Sequence, residues 1–249
     1  MSFKVYIPAR YGSVRLPGKL LETVGDWPLI RYSYEQAKKS SAEQVIIATD
    51  DDRIGLVSQQ FGALVSITAS EHDSGTDRVC EAVVLRKERD DVIIVNVQAD
   101  EPLIPSSVID QVAHELAQSD ADIVTVCEPL SGLEELLDAS VVKVVRDSAR
   151  KALYFSRAQI PSAREKSNYL EEIPHAYKRH VGIYAYRASY LKTFVTALKS
   201  EYEKIERLEQ LRALSRGDTI LVVDAIHPCG IGVDTKKDLE QFRKMIEKP

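Results

Sequence analysis

Apolar, β-branched residues recur in short runs at positions 3–7, 45–49, 64–67, 92–97 and 123–127. Between the first four lie amphipathic stretches, at about 29–39, 52–61 and 76–88, whose apolar residues repeat with helical period. Strands alternating with helices of this length predict βαβ units and a mainly parallel sheet. The strands are apolar almost throughout, which fits a sheet buried on both faces. A further helix is predicted to start near Pro105, with Ser106 and Ser107 in its first turn, and to end before Ser119.

The pattern changes between about 131 and 187. Stretches at 141–146, 152–156 and 181–186 read as strands, and a polar loop at 162–174 separates the last two. That loop is a candidate lid or a surface excursion. Without a Pro/Gly/Ser-rich linker or an internal repeat, the chain reads as one domain over 1–249 with an inserted β-rich subregion at about 131–187. The expected class is α/β, a Rossmann-like, mainly parallel mixed sheet with helices on both faces. Over 203–214, helical phase puts Ile205, Leu208 and Leu211 on one side and turns Glu206 and Gln210 away, with Glu209 near the boundary.

Composition narrows the function classes. The chain has 249 residues, 44% of them hydrophobic, enough for a substantial core. A net charge of -5 and a pI near 5.6 argue against a nucleic-acid binder. Neither a membrane-length apolar run nor a secretory leader is evident. Cys80, Cys127 and Cys229 are scattered, with no metal-ligand spacing. The expectation is a soluble protein of a reducing compartment, the cytoplasm.

Candidate chemistry begins where the first strand ends. Pro8-Ala9-Arg10 leads into a loop that contains Arg15 and Lys19 and is broken by Gly12, Pro17 and Gly18. Open α/β sheets bind ligands at the carboxyl edge of their strands, so three cations there point to a polyphosphate. The loop matches neither a P-loop nor a dinucleotide fingerprint, so side chains would carry the phosphate charge. The fourth strand runs into Gln98-Ala99-Asp100-Glu101-Pro102, and Pro102 ends it by Asp100. Asp234 follows a second glycine-containing loop and, alone, reads as a helix N-cap. Together Asp100 and Asp234 suit Mg²⁺, which takes one or two carboxylates plus phosphate oxygens and water. Asp50-Asp51-Asp52 is a rival acidic cluster, read mainly as a turn and cap.

These elements, in this order, resemble the sugar nucleotidyltransferases, and within them the 3-deoxy-manno-octulosonate cytidylyltransferases. The resemblance runs almost the whole chain. It rests on the Pro8–Lys19 loop, Ala48-Thr49-Asp50-Asp51, Ser74-Gly75-Thr76-Asp77-Arg78 and Asn96–Pro102. Ala152–Arg157, His180–Tyr184, Leu208–Arg212 and Gly232–Thr235 complete it. It implies transfer of CMP from CTP to an acidic eight-carbon sugar, with Mg²⁺, a homodimer and a role in lipopolysaccharide synthesis. It further implies that Pro8, Ala9, Arg10, Arg15, Lys19, Ser74, Thr76, Arg78 and Gln98 bind the nucleotide. Arg10, Arg15, Lys19 and Asp100 would serve catalysis, and Asp100 and Asp234 would hold the metal. Gln98, Arg157, His180, Tyr184, Glu209 and Gln210 would bind the sugar, with Arg157 on its carboxylate.

Ala99 stands where these relatives usually have glycine, so a positive φ there would strain the loop. Val14, Trp27 and Ser162 also depart from the pattern. Rival readings are an amino-sugar or sialic-type acceptor, a non-catalytic nucleotide binder of the same fold, and a glycosyltransferase. The last would use an Asp-x-Asp motif, formally matched by Asp50–Asp52 and Asp120–Asp122.

Overall fold

A computed structural model describes residues 2–12, 16–164 and 174–247. The strands are β1 (Phe3–Ala9), β2 (Thr23–Val24), β3 (Trp27–Pro28), β4 (Gln44–Thr49), β5 (Leu64–Ile67), β6 (Ile93–Val97), β7 (Ile123–Pro129), β8 (Lys143–Arg146), β9 (Ala152–Ser156), β10 (Lys178–Arg187) and β11 (Ile220–Asp224). The helices are α1 (Leu29–Lys38), α2 (Asp52–Gln60), α3 (Gly75–Leu85), α4 (Ser106–Ala117), α5 (Leu133–Leu137), α6 (Ala188–Phe194), α7 (Glu201–Glu206), α8 (Gln210–Arg216) and α9 (Lys236–Ile246).

Most of the strands share one sheet in the order β11-β7-β10-β6-β1-β4-β5, with β8 and β9 attached beside β10. Pairings of β1 with β4 and β6, of β4 with β5, and of β7 with β11 are parallel. The architecture is thus the α/β, mainly parallel mixed sheet expected. Strand β10 runs antiparallel to β6, β7 and β8, as β8 does to β9. It closes the stretch read as an insert, yet it lies in the middle of the main sheet.

Alternation in β1 explains the two-layered core. Phe3, Val5 and Ile7 face one side, where α1, α4 and α9 pack; Tyr6 faces the other, covered by α3, α6 and α8. A strand buried on both faces needs apolar residues at successive positions, as its sequence has. Strand order reverses at β1, where β4 leaves to one side and β6 to the other. Such a reversal opens a crevice at the carboxyl ends of the strands, and the cationic loop leaves β1 there.

The 203–214 helix differs from expectation. Arg207 adopts a left-handed conformation, φ 55°, and splits it into α7 and α8. The break resets helical phase. Leu208 and Leu211 are buried as predicted, but Ile205 is 78% exposed and Gln210 is buried. Ala99 is absent from the residues with positive φ. Its methyl group is buried and its carbonyl accepts the Ser33 hydroxyl at 2.9 Å, so no strain arises there. Most of the 162–174 loop, with Arg15 and Val14, lies outside the described residues.

Candidate active site

The loop after β1 folds back on itself. Gly18 donates its N–H to the Tyr11 carbonyl at 3.0 Å and takes φ +72°, with the Tyr11 ring too close for a side chain. Only glycine holds that turn without strain. The turn sends Lys19 inward, where its side chain is 6% exposed. The Lys19 ammonium reaches Asp100 Oδ2 at 2.8 Å, Asp234 Oδ1 at 3.0 Å and the Val233 carbonyl at 2.8 Å. The loop of β1, the end of β6 and the loop before α9 therefore meet on one nitrogen. The two carboxylates remain partly open, at 33% and 44% exposure.

Asp234 is not the N-cap of α9. Thr235 takes that role, its hydroxyl accepting the Asp238 N–H while the Asp238 carboxylate returns to the Thr235 N–H. This capping box leaves the Asp234 carboxylate directed at Lys19. Glu101, beside Asp100, is held near neutral: burial and the Asp100 charge push it up to about 8.

A cavity of about 450 Å³ opens over this junction. Pro8, Ala9, Arg10, Lys19, Ser74, Arg78, Gln98, Asp100 and Asp234 line it, with His72, Asp73 and Gly75. Ser74 caps α3 through a reciprocal box with Asp77, so the helix N-terminus faces the cavity. That end attracts anions. Arg78 is fixed by Asp50 at 3.1 Å, the Thr68 hydroxyl at 2.6 Å and the Ala69 carbonyl at 3.1 Å. Asp51, from the rival acidic cluster, caps α2 as read from sequence.

A second cavity of about 530 Å³ shares Arg10, Asp73 and Ser74 with the first. Lys199, Lys204, Arg207 and Arg212 bring further cations to it, with Glu203 and Glu209. Arg212 is buried and pairs with both oxygens of Glu203, at 2.9 and 2.6 Å. Burial raises the Glu209 carboxyl above its ordinary range, opposed by hydrogen bonds from Ser74 and Thr76. This ties Glu209 to the head of α3. Thr76 is buried beneath it.

The remaining sugar candidates stand apart. Arg157 spends its guanidinium on the Glu206 carbonyl at 2.8 Å and the Ala139 carbonyl at 3.0 Å, and lines neither cavity. His180, Tyr184 and Gln210 also line neither. His180 stacks edge-on against Phe155 and bonds the Thr125 hydroxyl at 2.9 Å; burial lowers it to about 3, so the ring is neutral. Tyr184 lies beside it, raised well above the ordinary phenol range by burial. A bulge between Val181 and Tyr184 re-aims this pair of side chains. Sequence reasoning missed His72, Asp73, Lys199, Lys204 and Arg207; the Ser74–Arg78 element and Glu209, both named through the resemblance, lie beside them.

A family model described as cytidylyltransferase matches residues 5–220. The chain belongs to the cytidylyltransferase family. Among curated relatives, the 3-deoxy-manno-octulosonate cytidylyltransferase of Ruthia magnifica is 50% identical over 99% of this chain and 100% of that one. The protein of the same name from Pseudomonas fluorescens is 49% identical, covering 99% and 98%. A solved structure of CMP:2-keto-3-deoxy-manno-octonic acid synthetase complexed with CTP superposes with TM-score 0.88 at 38% identity, covering 98% of both chains. 4-Diphosphocytidyl-2C-methyl-D-erythritol synthase shares the fold alone, with TM-score 0.64 at 11% identity. For this cytidylyltransferase, the crevice at the strand-order reversal is where the cations and acids collect.

Proposed function

We propose that this cytidylyltransferase transfers CMP from CTP to the anomeric hydroxyl of 3-deoxy-manno-octulosonate, releasing pyrophosphate. The observation that carries the reading is the meeting of Lys19, Asp100 and Asp234 in a cavity at the end of β1. The relatives' names and the CTP-bound neighbour support the substrates.

In this reading the sugar hydroxyl attacks the α-phosphorus in line with departing pyrophosphate. Positioning and charge compensation do most of the work in such transfers. Arg10 and Lys19 offset the charge that develops on the leaving group. Arg15 belongs to the same cationic set. Ser74 and Gly75 present the head of α3 to phosphate or base, and Gln98 sits at the edge of β6 where nucleotide and sugar meet. The cations of the second cavity suit an acceptor that carries a carboxylate.

Mg²⁺ is part of the proposal. Asp100 and Asp234 already converge on one positive centre at 2.8 and 3.0 Å. Among the described residues no group of three or more His, Cys, Asp or Glu is arranged to hold a metal unaided. That donor set fits an ion completed by phosphate oxygens and water. Bound there, Mg²⁺ would neutralise phosphate charge and polarise the reacting oxygen. The proposal extends to a homodimer using the 131–187 stretch, a cytoplasmic location and service to lipopolysaccharide synthesis. Among the described residues no helix is long and apolar enough to cross a membrane.

The test is pyrophosphate release from CTP, Mg²⁺ and freshly prepared 3-deoxy-manno-octulosonate. Steady release is expected, and none at all would overturn the assignment. Asp100→Asn should lower turnover by at least about 100-fold with an unchanged far-UV spectrum.

A further inference from the structure

We infer that Glu128 and Arg179 form a positioning pair that sets where Asp234 stands. They lie outside both cavities described above, directly opposite each other on β7 and β10. Arg179 donates to Glu128 Oε2 through Nε at 2.8 Å and through a second, shorter contact from its terminal nitrogen. Both side chains are largely shielded, at 26% and 11% exposure, so the pair is held more firmly than a surface bridge.

Each partner also grips the loop that leads to Asp234. The other oxygen of Glu128 accepts the Cys229 N–H at 2.7 Å. The Arg179 guanidinium donates to the Gly230 carbonyl at 3.0 Å. Two successive residues are thus caught, one by its donor and the next by its acceptor. From there the backbone has little slack. Gly230 takes φ +75° with its α-carbon pressed against Leu103, where an added Cβ would lie 2.6 Å from the leucine side chain. Gly232 backs onto Glu101, and the Val233 N–H bonds the Asp100 carbonyl at 2.8 Å. Three residues separate the gripped carbonyl from Asp234. The cross-strand pair therefore transmits the geometry of β7 and β10 to the spacing between Asp100 and Asp234. This role rests on the proposed use of those two acids.

The test uses full-length Arg179→Gln and Glu128→Ala, read by amide hydrogen exchange and by the Mg²⁺ concentration for half-maximal pyrophosphate release. Val233 is expected to exchange at least tenfold faster in both, with amides of β1 and β6 unchanged. The Mg²⁺ requirement is expected to rise by at least fivefold. Glu128→Gln, which keeps an acceptor for Cys229, should recover most of both losses and covers the case in which Glu128→Ala does not fold. Unchanged Val233 exchange would overturn the inference, and so would a Mg²⁺ requirement within twofold of wild type. Asp234→Asn serves as the control. If it leaves turnover and Mg²⁺ requirement untouched, the metal reading fails, and the pair is then judged on Val233 exchange alone.

Discussion

His180 shows what burial does to a side chain that titrates near neutrality in water. Its ring is held neutral, lowered to about 3, by desolvation between Phe155 and Tyr184. The unfolded chain takes up a proton near pH 6.5 and the folded chain does not. Stability from this residue is therefore complete above pH 6.5 and declines as pH falls from there toward 3, by up to about 1.4 kcal/mol per pH unit. His180→Asn should flatten that part of the profile, which urea melts at pH 7, 6 and 5 would read. Lys19 is buried as well, with its ammonium between two carboxylates. Lys19→Met is expected to lower kcat/KM by at least about 100-fold, measured by pyrophosphate release, with little change in far-UV signal.

At the scale of elements, caps and turns decide where the acids point. Thr235→Ala removes the box that starts α9 and should cost about 1 kcal/mol in a chemical melt. Its neighbour Asp234 gains its direction because Thr235 takes the cap. Strands β1 and β4 to β10 and the first four helices were legible because apolar period and turn residues agree there, while β11 went unread. The break at Arg207 was not legible, since a left-handed arginine leaves no compositional mark and the apolar period continues across it. The convergence was legible from the cationic loop after the first strand, Asp100 at the end of the fourth, and Asp234 after a glycine-containing loop. The grip of Glu128 and Arg179 on a distant loop was hidden, because both lie just beyond the strands read at 123–127 and 181–186.

For the whole molecule, occupation of the crevice should couple to folding. CTP contacts would join β1, β6, α3 and the α9 loop, so binding favours the folded state by mass action. At a CTP concentration about 100 times its dissociation constant, stabilisation of about 2.7 kcal/mol is expected. A calorimetric scan with and without CTP would show it, and ATP at the same concentration should give a smaller shift.

The reversed direction of β10 has a mechanical consequence. Tyr184 stands opposite Asn96 on the neighbouring strand, two residues before Gln98. Portions of chain almost ninety positions apart are thus riveted at the width of one ladder rung, with no hinge between them. A slip of one residue in that pairing would turn Tyr184 to the opposite face. The spacing between Tyr184 and the end of β6 is thereby set by the sheet itself.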